Sequence, residues 1–417
     1  MFSVVIQIQT ATNPPLLSIN HTFENGVAKP SQLHFVTLPA AILSSQRPTF
    51  AMQTTTGFLT EKEMNERKNI PSESDPSKVD NDPTAESRKR DHIELAFRSQ
   101  IEEGKLDARF YYEPLLAAHP RRGALPQFKF LGKTMRVPMW VSSMTGGTAW
   151  AGKINHHLAR ACKDFGMGMG LGSCRALLFS DEHLRDFDVR HLIGDDLPLY
   201  ANLGIAQLEE LIEKKETYLI NDLLEKLRVD GLIIHVNPLQ EWLQPEGDRF
   251  KVAPIDTIET IVEKIKYPII VKEVGQGMGY QSLKRLFQLP LAAIDFAANG
   301  GTNFSKVELL RSDEQKQNIY KSLAYVGHSA EQMTLMTNQI VAELGEQVRC
   351  QEVIISGGVK NFLDGYYLIN KLVLPSIYGQ ASGFLKHARG TYEELFSYVD
   401  AQVQGLELAH AFLKLKK

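Results

Sequence analysis

The stretch "PIIVKEVG", residues 268–275, decides the fold because its form recurs along the chain. A short apolar run ends in charged or small residues, and a helical pattern usually follows. Strands buried on both faces of a sheet read as such continuous apolar runs. Eight runs of this form occur: "PMWVSSM" (138–144), "GMGMGLG" (166–172), "LPLYANLG" (197–204), "GLIIHVN" (231–237), "PIIVKEVG" (268–275), "LAAIDFA" (291–297), "EVIISGG" (352–358) and "SIYGQASGF" (376–384).

Strands that alternate with helices imply right-handed crossovers and a parallel sheet. Eight such units predict an α/β fold, a TIM (β/α)8 barrel, with a doubly wound open sheet as the alternative. The sixth and seventh runs begin about 60 residues apart, more than any other neighbouring pair. This segment contains helical stretches, so we predict an elaborated loop after strand 6 and interpret it as a candidate lid.

Composition narrows the class of protein. Of the 417 residues 43% are hydrophobic, enough to bury a large core, and the formal net charge of -3 indicates neither nucleic acid nor a membrane as a partner. No apolar run approaches the ~20 residues that cross a bilayer, and no basic residue precedes Lys29, which argues against a secretory signal. The widely spaced Cys162, Cys174 and Cys350 predict neither disulfides nor a zinc site, which favours a cytoplasmic location.

The N-terminal part of the chain has a different character. Residues 1–51 show apolar clusters without a sustained period, and a polar stretch follows. We predict a disordered extension over residues 1–85 and one barrel domain over residues 86–417. As a hypothesis, the first segment is upstream sequence read from a start placed too early, with Met52 or Met64 as the true start. A peptide from that segment in mass spectra of the natural protein would contradict this.

The residues that follow each run are rich in hydroxyls, amides and glycines, and in a TIM barrel chemistry gathers at these strand ends. Glycines after strands 7 and 8 let backbone N–H groups approach a phosphate, and an added helix N-terminus favours its negative charge. "SGGV" and "QASGF" therefore predict a phosphate cradle, although each motif alone also fits an ordinary tight turn.

Lys272 ends the fifth run, where a buried charge needs a partner. One interpretation is a salt bridge to Glu273 or another carboxylate of the rim. The other places the ammonium near the pyrimidine edge of a flavin, where it stabilises negative charge on the reduced ring. A flavin combined with a phosphate cradle indicates FMN.

The motifs "RKRDHIELA", "SSMTGGT", "GLGSCR", "ANLG", "HVNPLQEWLQPEGD", "VKEVGQG", "NGGTNF", "SGGV" and "ASGF" occur in this order. Together they resemble the type 2 isopentenyl-diphosphate isomerases over about residues 86–415. The resemblance implies a TIM barrel that uses reduced FMN and Mg²⁺, with NADPH or another reductant. It also implies a homo-oligomer, often a tetramer or octamer, and a five-carbon isoprenoid diphosphate as substrate.

Site residues follow from the resemblance, motif by motif. It assigns FMN to Met144, Thr145, Gly146, Ser173, Asn202, Lys272, Thr302, Gly357, Gly358, Ala381 and Ser382. It assigns the substrate to Arg88, Lys89, His92, Ser173, Arg175, His235, Asn237 and Gln240. Gln240 is the candidate catalytic residue and Glu241 the Mg²⁺ ligand, since one carboxylate completed by phosphate oxygens and water suits this ion. Without the resemblance, we would interpret His235 as a histidine that is hydrogen-bonded at the end of a strand. Arg88 and Lys89 would be basic residues at the solvent-exposed start of a helix.

The sequence departs from the family pattern at two positions. Cys174 stands where the family usually has glutamine, and a thiol cannot replace the paired donor and acceptor of an amide. Ala297 stands where a serine or glycine often lies near the flavin, so we leave it out of the predicted site.

The implied reaction converts isopentenyl diphosphate reversibly into dimethylallyl diphosphate by a net 1,3 proton shift. Glutamine has no useful pKa, so we expect Gln240 to orient the substrate and reduced FMN to exchange the protons. One alternative is an FMN-dependent 2-hydroxy-acid oxidoreductase, for which His328 is the nearby candidate base. Another is a non-catalytic flavin-binding protein, which would need neither Gln240 nor Glu241.

Overall fold

The computed structural model describes residues 4–8, 17–21, 84–143 and 145–416. Contacts divide the chain into two compact units, Met1–Gln100 and Ile101–Lys417. The first contains the antiparallel strand pair Val4–Ile8 and Leu17–His21 and the helix Ala85–Leu95. Most of the predicted extension lies outside the described residues, so its disorder and the early start stay predictions.

The second unit is built on a closed barrel of eight parallel strands arranged in sequence order. The strands are β1 Met139–Val141, β2 Gly168–Gly170, β3 Leu199–Gly204, β4 Gly231–His235, β5 Ile269–Lys272, β6 Ala293–Asp295, β7 Val353–Ser356 and β8 Ser376–Gln380. Each strand lies within one of the eight apolar runs. The pairing of β8 with β1, Tyr378 opposite Met139, closes the sheet, which confirms the barrel and excludes the open alternative.

Helices surround the barrel between successive strands. The longer ones are Ala149–Phe165, Ile205–Glu213, Tyr218–Leu227, Pro254–Lys264, Tyr280–Phe287, Ala330–Leu344, Phe362–Lys371 and Tyr392–Phe412, and the shorter ones are Leu184–Phe187, Arg190–Ile193, Pro238–Leu243 and Ser382–Ala388. Local sequence sets their ends. The Thr148 side chain accepts a hydrogen bond from the Ala151 N–H, and Gly166 ends the same helix with a φ of 77°.

Large side chains fill the interior of the barrel, and a hairpin closes its amino-terminal end. Trp140, Tyr200 and Ile270 are buried in one interior cluster with Phe130 and Met135. These last two come from the paired strands Phe128–Phe130 and Lys133–Met135. The filled floor leaves the carboxyl ends of the strands as the place for a site. None of the described helices is long and apolar enough to cross a membrane.

The long segment between β6 and β7 contains helices, as its sequence predicts, and it is docked against the barrel. It contains Phe304–Arg311, Glu314–Tyr320 and the 3₁₀ turn Lys321–Tyr325. Leu309 and Ala324 pack with Leu243 in a small buried cluster. Gln276 Nε2 donates hydrogen bonds to the carbonyls of Leu323 and Val326 at 3.0 and 2.7 Å. The segment thus braces Pro238–Leu243, while its role as a lid stays a prediction.

We predict that Leu309→Ala lowers the free energy of unfolding by about 2–4 kcal/mol, because it opens a cavity in this cluster. Leu309 is 4% exposed, whereas its neighbour Leu310 is 67% exposed. Leu310→Ala is therefore the matched control, with an expected change within about 0.5 kcal/mol. Urea unfolding measures both. Equal effects of the two substitutions would show that the segment is not docked in solution.

Candidate functional site

A cavity of about 260 Å³ lies at the carboxyl ends of β5 to β8 and of β1. The predicted cofactor residues that line it are Lys272, Thr302, Gly357, Gly358, Ala381 and Ser382. The structure therefore brings the second half of the predicted flavin site together. Met144 lies outside the described residues, and Thr145 and Gly146 are not among the residues that line the cavity.

Glycine is required at 357 and 358 for two physical reasons. Their φ angles are 85° and 73°, in the left-handed region that side chains disfavour. A Cβ at Gly357 would also overlap the backbone of Ala298. The loops after β6 and β7 thus pack backbone against backbone. This accounts for the tight turn that "SGGV" allows, while its use as a phosphate cradle stays a prediction.

Two serines that the sequence analysis did not select also line the cavity. Ser142 and Ser143 end the run that contains β1. Each hydroxyl is buried and finds no hydrogen-bond partner in the described part of the chain. Buried hydroxyls normally have partners, so both are available to a polar ligand. The doublet of serines after an apolar run was the signal in the sequence.

Lys272 is 7% exposed, and its ammonium donates a hydrogen bond to the Glu273 backbone carbonyl at 2.6 Å. The Glu273 carboxylate turns the other way and accepts from the N–H groups of Gly275, Gln276 and Gly277 at 2.7, 2.6 and 3.0 Å. It therefore organises the loop after β5 instead of forming the expected salt bridge. Burial lowers the pKa of Lys272, and the charges of Asp295 and Glu273 oppose that change.

Asp295, which the sequence analysis did not select, lies at the end of β6 directly opposite Lys272 in the register. It is 1% exposed. The Ser356 hydroxyl donates to Asp295 Oδ1 and accepts the Ala297 N–H at 2.9 Å. Asp295 Oδ2 has no hydrogen-bond partner among the residues described. Burial raises the pKa of Asp295, and the charge of Lys272 opposes that change.

Ala297 lines the cavity with a φ of 41°, a left-handed conformation that costs an alanine free energy. The sequence analysis left Ala297 out of the site because the family often has serine or glycine at this position. The left-handed backbone explains why glycine suits position 297, since glycine adopts this conformation freely.

A second group of residues follows β4, with its side chains hydrogen-bonded to one another. Asn237 Nδ2 donates to Gln240 Oε1 at 3.2 Å and to Glu241 Oε1 at 2.9 Å. The Asp248 N–H donates to Glu241 Oε2 at 2.7 Å. Asn237 Oδ1 is buried, with no partner within the described ranges. We call Asn237, Gln240, Glu241 and Asp248 the amide–carboxylate cluster.

Asp248 connects this cluster to Arg175. Arg175 Nη1 and Gln207 Nε2 donate to Asp248 Oδ2 at 3.1 and 3.2 Å. The sequence analysis identified Arg175 but assigned no role to Asp248 or Gln207. The polar motif "PEGD", which ends in Asp248, was the signal for that residue. Ser173 and Arg175 line a separate cavity beside Gln207.

His235 is neutral and already satisfied on one side. Its Nδ1 donates to Asn202 Oδ1 at 2.7 Å, an arrangement that assigns the ring proton to Nδ1. Burial lowers the pKa of His235 to about 3, and the Lys272 charge adds to this. Asn202 is 3% exposed and thus serves the histidine in this structure.

The departure at Cys174 does not reach the cavity, because this side chain is fully buried. Its Sγ donates to the Gly172 carbonyl at 3.3 Å, and burial raises the pKa of Cys174 to about 12. Cys162, Cys174 and Cys350 are all free thiols, which agrees with the expected absence of disulfides.

The remaining residues predicted to bind substrate lie in the first unit. Arg88, Lys89 and His92 lie on the helix Ala85–Leu95, and their contact with substrate stays a prediction. Within the described ranges, no three or more histidine, cysteine or carboxylate side chains gather in a group that could hold a metal ion.

Comparison with known proteins identifies the family. The isopentenyl-diphosphate delta-isomerase of Rickettsia peacockii (strain Rustic) is 34% identical over 330 residues, 77% of this chain and 91% of the relative. That of Rickettsia africae (strain ESF-5) is 36% identical over 319 residues, 74% and 88% of the two chains. This chain belongs to the isopentenyl-diphosphate delta-isomerase family.

Other comparisons add less to this family assignment. No family model matches the chain. A mandelate oxidase variant with a monooxide FMN adduct aligns at a TM-score of 0.46 and 14% identity, over 74% of this chain and 88% of its own. A flavocytochrome b2 variant with sulfite bound aligns at 0.49 and 15% identity, over 73% and 72%. At these TM-scores and identities, the two structures support no conclusion about the function of this chain.

We predict that Ala297→Gly raises the free energy of unfolding by about 1 kcal/mol, because it relieves the left-handed strain. Ala293→Gly, in β6 at an ordinary backbone conformation, is the control and should lower stability by about 0.5–1 kcal/mol. Urea unfolding of both variants measures the two changes in the free energy of unfolding. A loss of stability at both positions would contradict strain at 297.

We predict that His235 makes stability depend on pH below about 6.5. The unfolded chain binds a proton there, whereas the folded His235, with its pKa near 3, does not. The stability linked to this residue is complete above pH 6.5 and falls with pH below it, by up to ~1.4 kcal/mol per unit. Urea unfolding at pH 7, 6 and 5 should show this slope reduced in His235→Asn. The exposed His156→Asn should keep the wild-type slope; the same slope in all three proteins would refute the assignment.

Proposed function

We propose that this chain is a type 2 isomerase that interconverts isopentenyl diphosphate and dimethylallyl diphosphate with reduced FMN and Mg²⁺. The family supplies the substrate class. The observation that carries the proposal is the pairing of β4 with β5, in which His235 lies opposite Lys272. The cavity proposed for the flavin and the amide–carboxylate cluster therefore lie at adjacent strand ends, so a substrate held by the cluster would lie beside the flavin.

The cavity has the chemistry that FMN requires. Lys272 would face the pyrimidine edge of the ring, and the buried, unpartnered hydroxyls of Ser142 and Ser143 are available to its polar atoms. Backbone N–H groups at Gly357–Gly358 and Ala381–Ser382, with Thr302, would hold the phosphate end. When bound in reduced form, FMN would supply the proton donor and acceptor for the substrate alkene, with NADPH as the proposed reductant.

The amide–carboxylate cluster has the chemistry that Mg²⁺ requires. Both carboxylate oxygens of Glu241 accept hydrogen bonds that fix its orientation, and the buried Asn237 Oδ1, which has no partner among the described residues, is a second hard oxygen nearby. Mg²⁺ commonly binds one or two protein oxygens and completes its shell with phosphate and water. Glu241 would thus hold the metal that bridges to the diphosphate.

The other residues bind and orient the substrate. Gln240 would fix the hydrocarbon part, since an amide has no useful pKa for proton transfer. Arg175 would contact the diphosphate, together with Ser173, His235 and Asn237. The assignment of Arg88, Lys89 and His92 to the substrate stays a separate prediction for the first unit. Binding energy from the diphosphate would thereby orient carbons that carry no polar handle. A cytoplasmic homo-oligomer remains part of the proposal.

The experiment is to purify the full chain, record its flavin absorbance, and assay isopentenyl diphosphate turnover with FMN, NADPH and Mg²⁺, omitting each in turn. Dimethylallyl diphosphate formed only with all three supports the proposal. Bound flavin without isomerisation under fully reduced, anaerobic conditions contradicts it and favours a 2-hydroxy-acid oxidoreductase or a flavin-binding protein.

We predict that Glu241→Gln lowers Mg²⁺-dependent turnover at least about 100-fold, because a neutral amide binds the ion far more weakly. Glu246→Gln is the matched control, since Glu246 lies on the same segment but pairs with Arg311 at the surface. Turnover should be measured against Mg²⁺ concentration. Wild-type metal dependence in Glu241→Gln would refute this ligand.

A further inference from the structure

We propose that Asp295 is a positioning residue: it is the buried counter-charge that holds the Lys272 ammonium in place at the cavity, and Ser356 fixes its orientation. This inference rests on the proposed function, because Lys272 is assigned there to the flavin. Asp295 itself lies outside the lining of the cavity, beneath it, and so acts through Lys272 and not on the ligand.

The geometry follows from three neighbouring strands. Lys272 and Asp295 are opposite each other at the ends of β5 and β6, and both are less than a tenth exposed. Ser356, at the end of β7, donates its hydroxyl to Asp295 Oδ1 and accepts the Ala297 N–H. This leaves Asp295 Oδ2 buried, with no hydrogen bond from the residues described.

Other charged groups around Lys272 do not take this role. The Glu273 carboxylate is engaged by the backbone of its own loop, and His235 from β4 is neutral because burial lowers its pKa to about 3. Lys360, which lines the same cavity, carries the same sign as Lys272. No carboxylate occurs among the described lining residues, so Asp295 is the negative group placed to balance the ammonium.

Energetics make the pair interdependent. A buried charge without a partner is strongly destabilising, while replacing both partners by neutral groups is often tolerated. Asp295 therefore keeps Lys272 charged in a dry site, and Lys272 keeps Asp295 charged without a donor on Oδ2. Ala297 accepts a strained backbone in the same turn that gives its N–H to Ser356.

The first test is a double-mutant cycle on the full chain without flavin, with Lys272→Met, Asp295→Asn and the combined variant. Each single substitution should lower the melting temperature, and the combined variant should melt higher than Lys272→Met alone, because no unbalanced charge remains. Additive losses would overturn the proposal. If Asp295→Asn does not fold, Ser356→Ala gives the same comparison through the lost hydroxyl, with a smaller shift and the same expected coupling to Lys272→Met.

The second test measures the midpoint potential of bound FMN between pH 6 and pH 9. In Asp295→Asn the ammonium loses its proton at lower pH, so the potential should fall more steeply with pH than in the wild type. Asp230→Asn is the control, since this half-buried aspartate pairs with Arg190 and Lys133 elsewhere in the barrel. It should destabilise the fold and leave the profile unchanged.

The outcomes separate the two proposals. Coupled melting together with a steeper profile supports the role of Asp295. Bound flavin with identical profiles in the wild type and Asp295→Asn overturns it while the proposed function stands. Coupled melting in a chain that binds no FMN overturns the proposed function and the flavin role, and leaves the charge balance between Lys272 and Asp295 as a feature of stability alone.

Discussion

Closure of the parallel sheet is the constraint on which the rest of the structure depends. Once β8 pairs with β1, the carboxyl ends of all strands meet on one rim. Trp140, Tyr200 and the hairpin residue Phe130 fill the interior and close the other end. Polar side chains at strand ends then have one place to meet, which is why residues as distant in sequence as Ser142 and Ser356 line one cavity.

Burial at that rim forces every charge to find a partner, and the chain does so in different ways. Backbone N–H groups donate hydrogen bonds to the Glu273 carboxylate, and Arg175 and Gln207 donate to Asp248. We propose that Lys272 and Asp295, which lie opposite each other in the register, balance each other's charge. The net charge of -3 therefore says little about the site, where individual cations and N–H groups set the local potential.

The inserted segment between β6 and β7 extends this organisation to the substrate side. By packing Leu309 and Ala324 on Leu243, it supports the short helix that carries Gln240 and Glu241. A six-residue helix is marginal by itself, so tertiary packing must hold it. Position and rigidity of these two side chains thus depend on residues about 70 to 80 positions later in the sequence.

The sequence by itself determined the barrel, because buried parallel strands leave continuous apolar runs. It also determined which strand ends carry polar side chains, such as Lys272 and Glu241, or an accessible backbone, as at Gly357. Tertiary structure decided the partners. Register and packing between strands determine three such features: the direction of the Glu273 carboxylate, the position of Asp295 opposite Lys272, and the burial of Cys174. Side-chain chemistry specifies what a residue can bind, whereas only closure of the sheet specifies which neighbour is within reach.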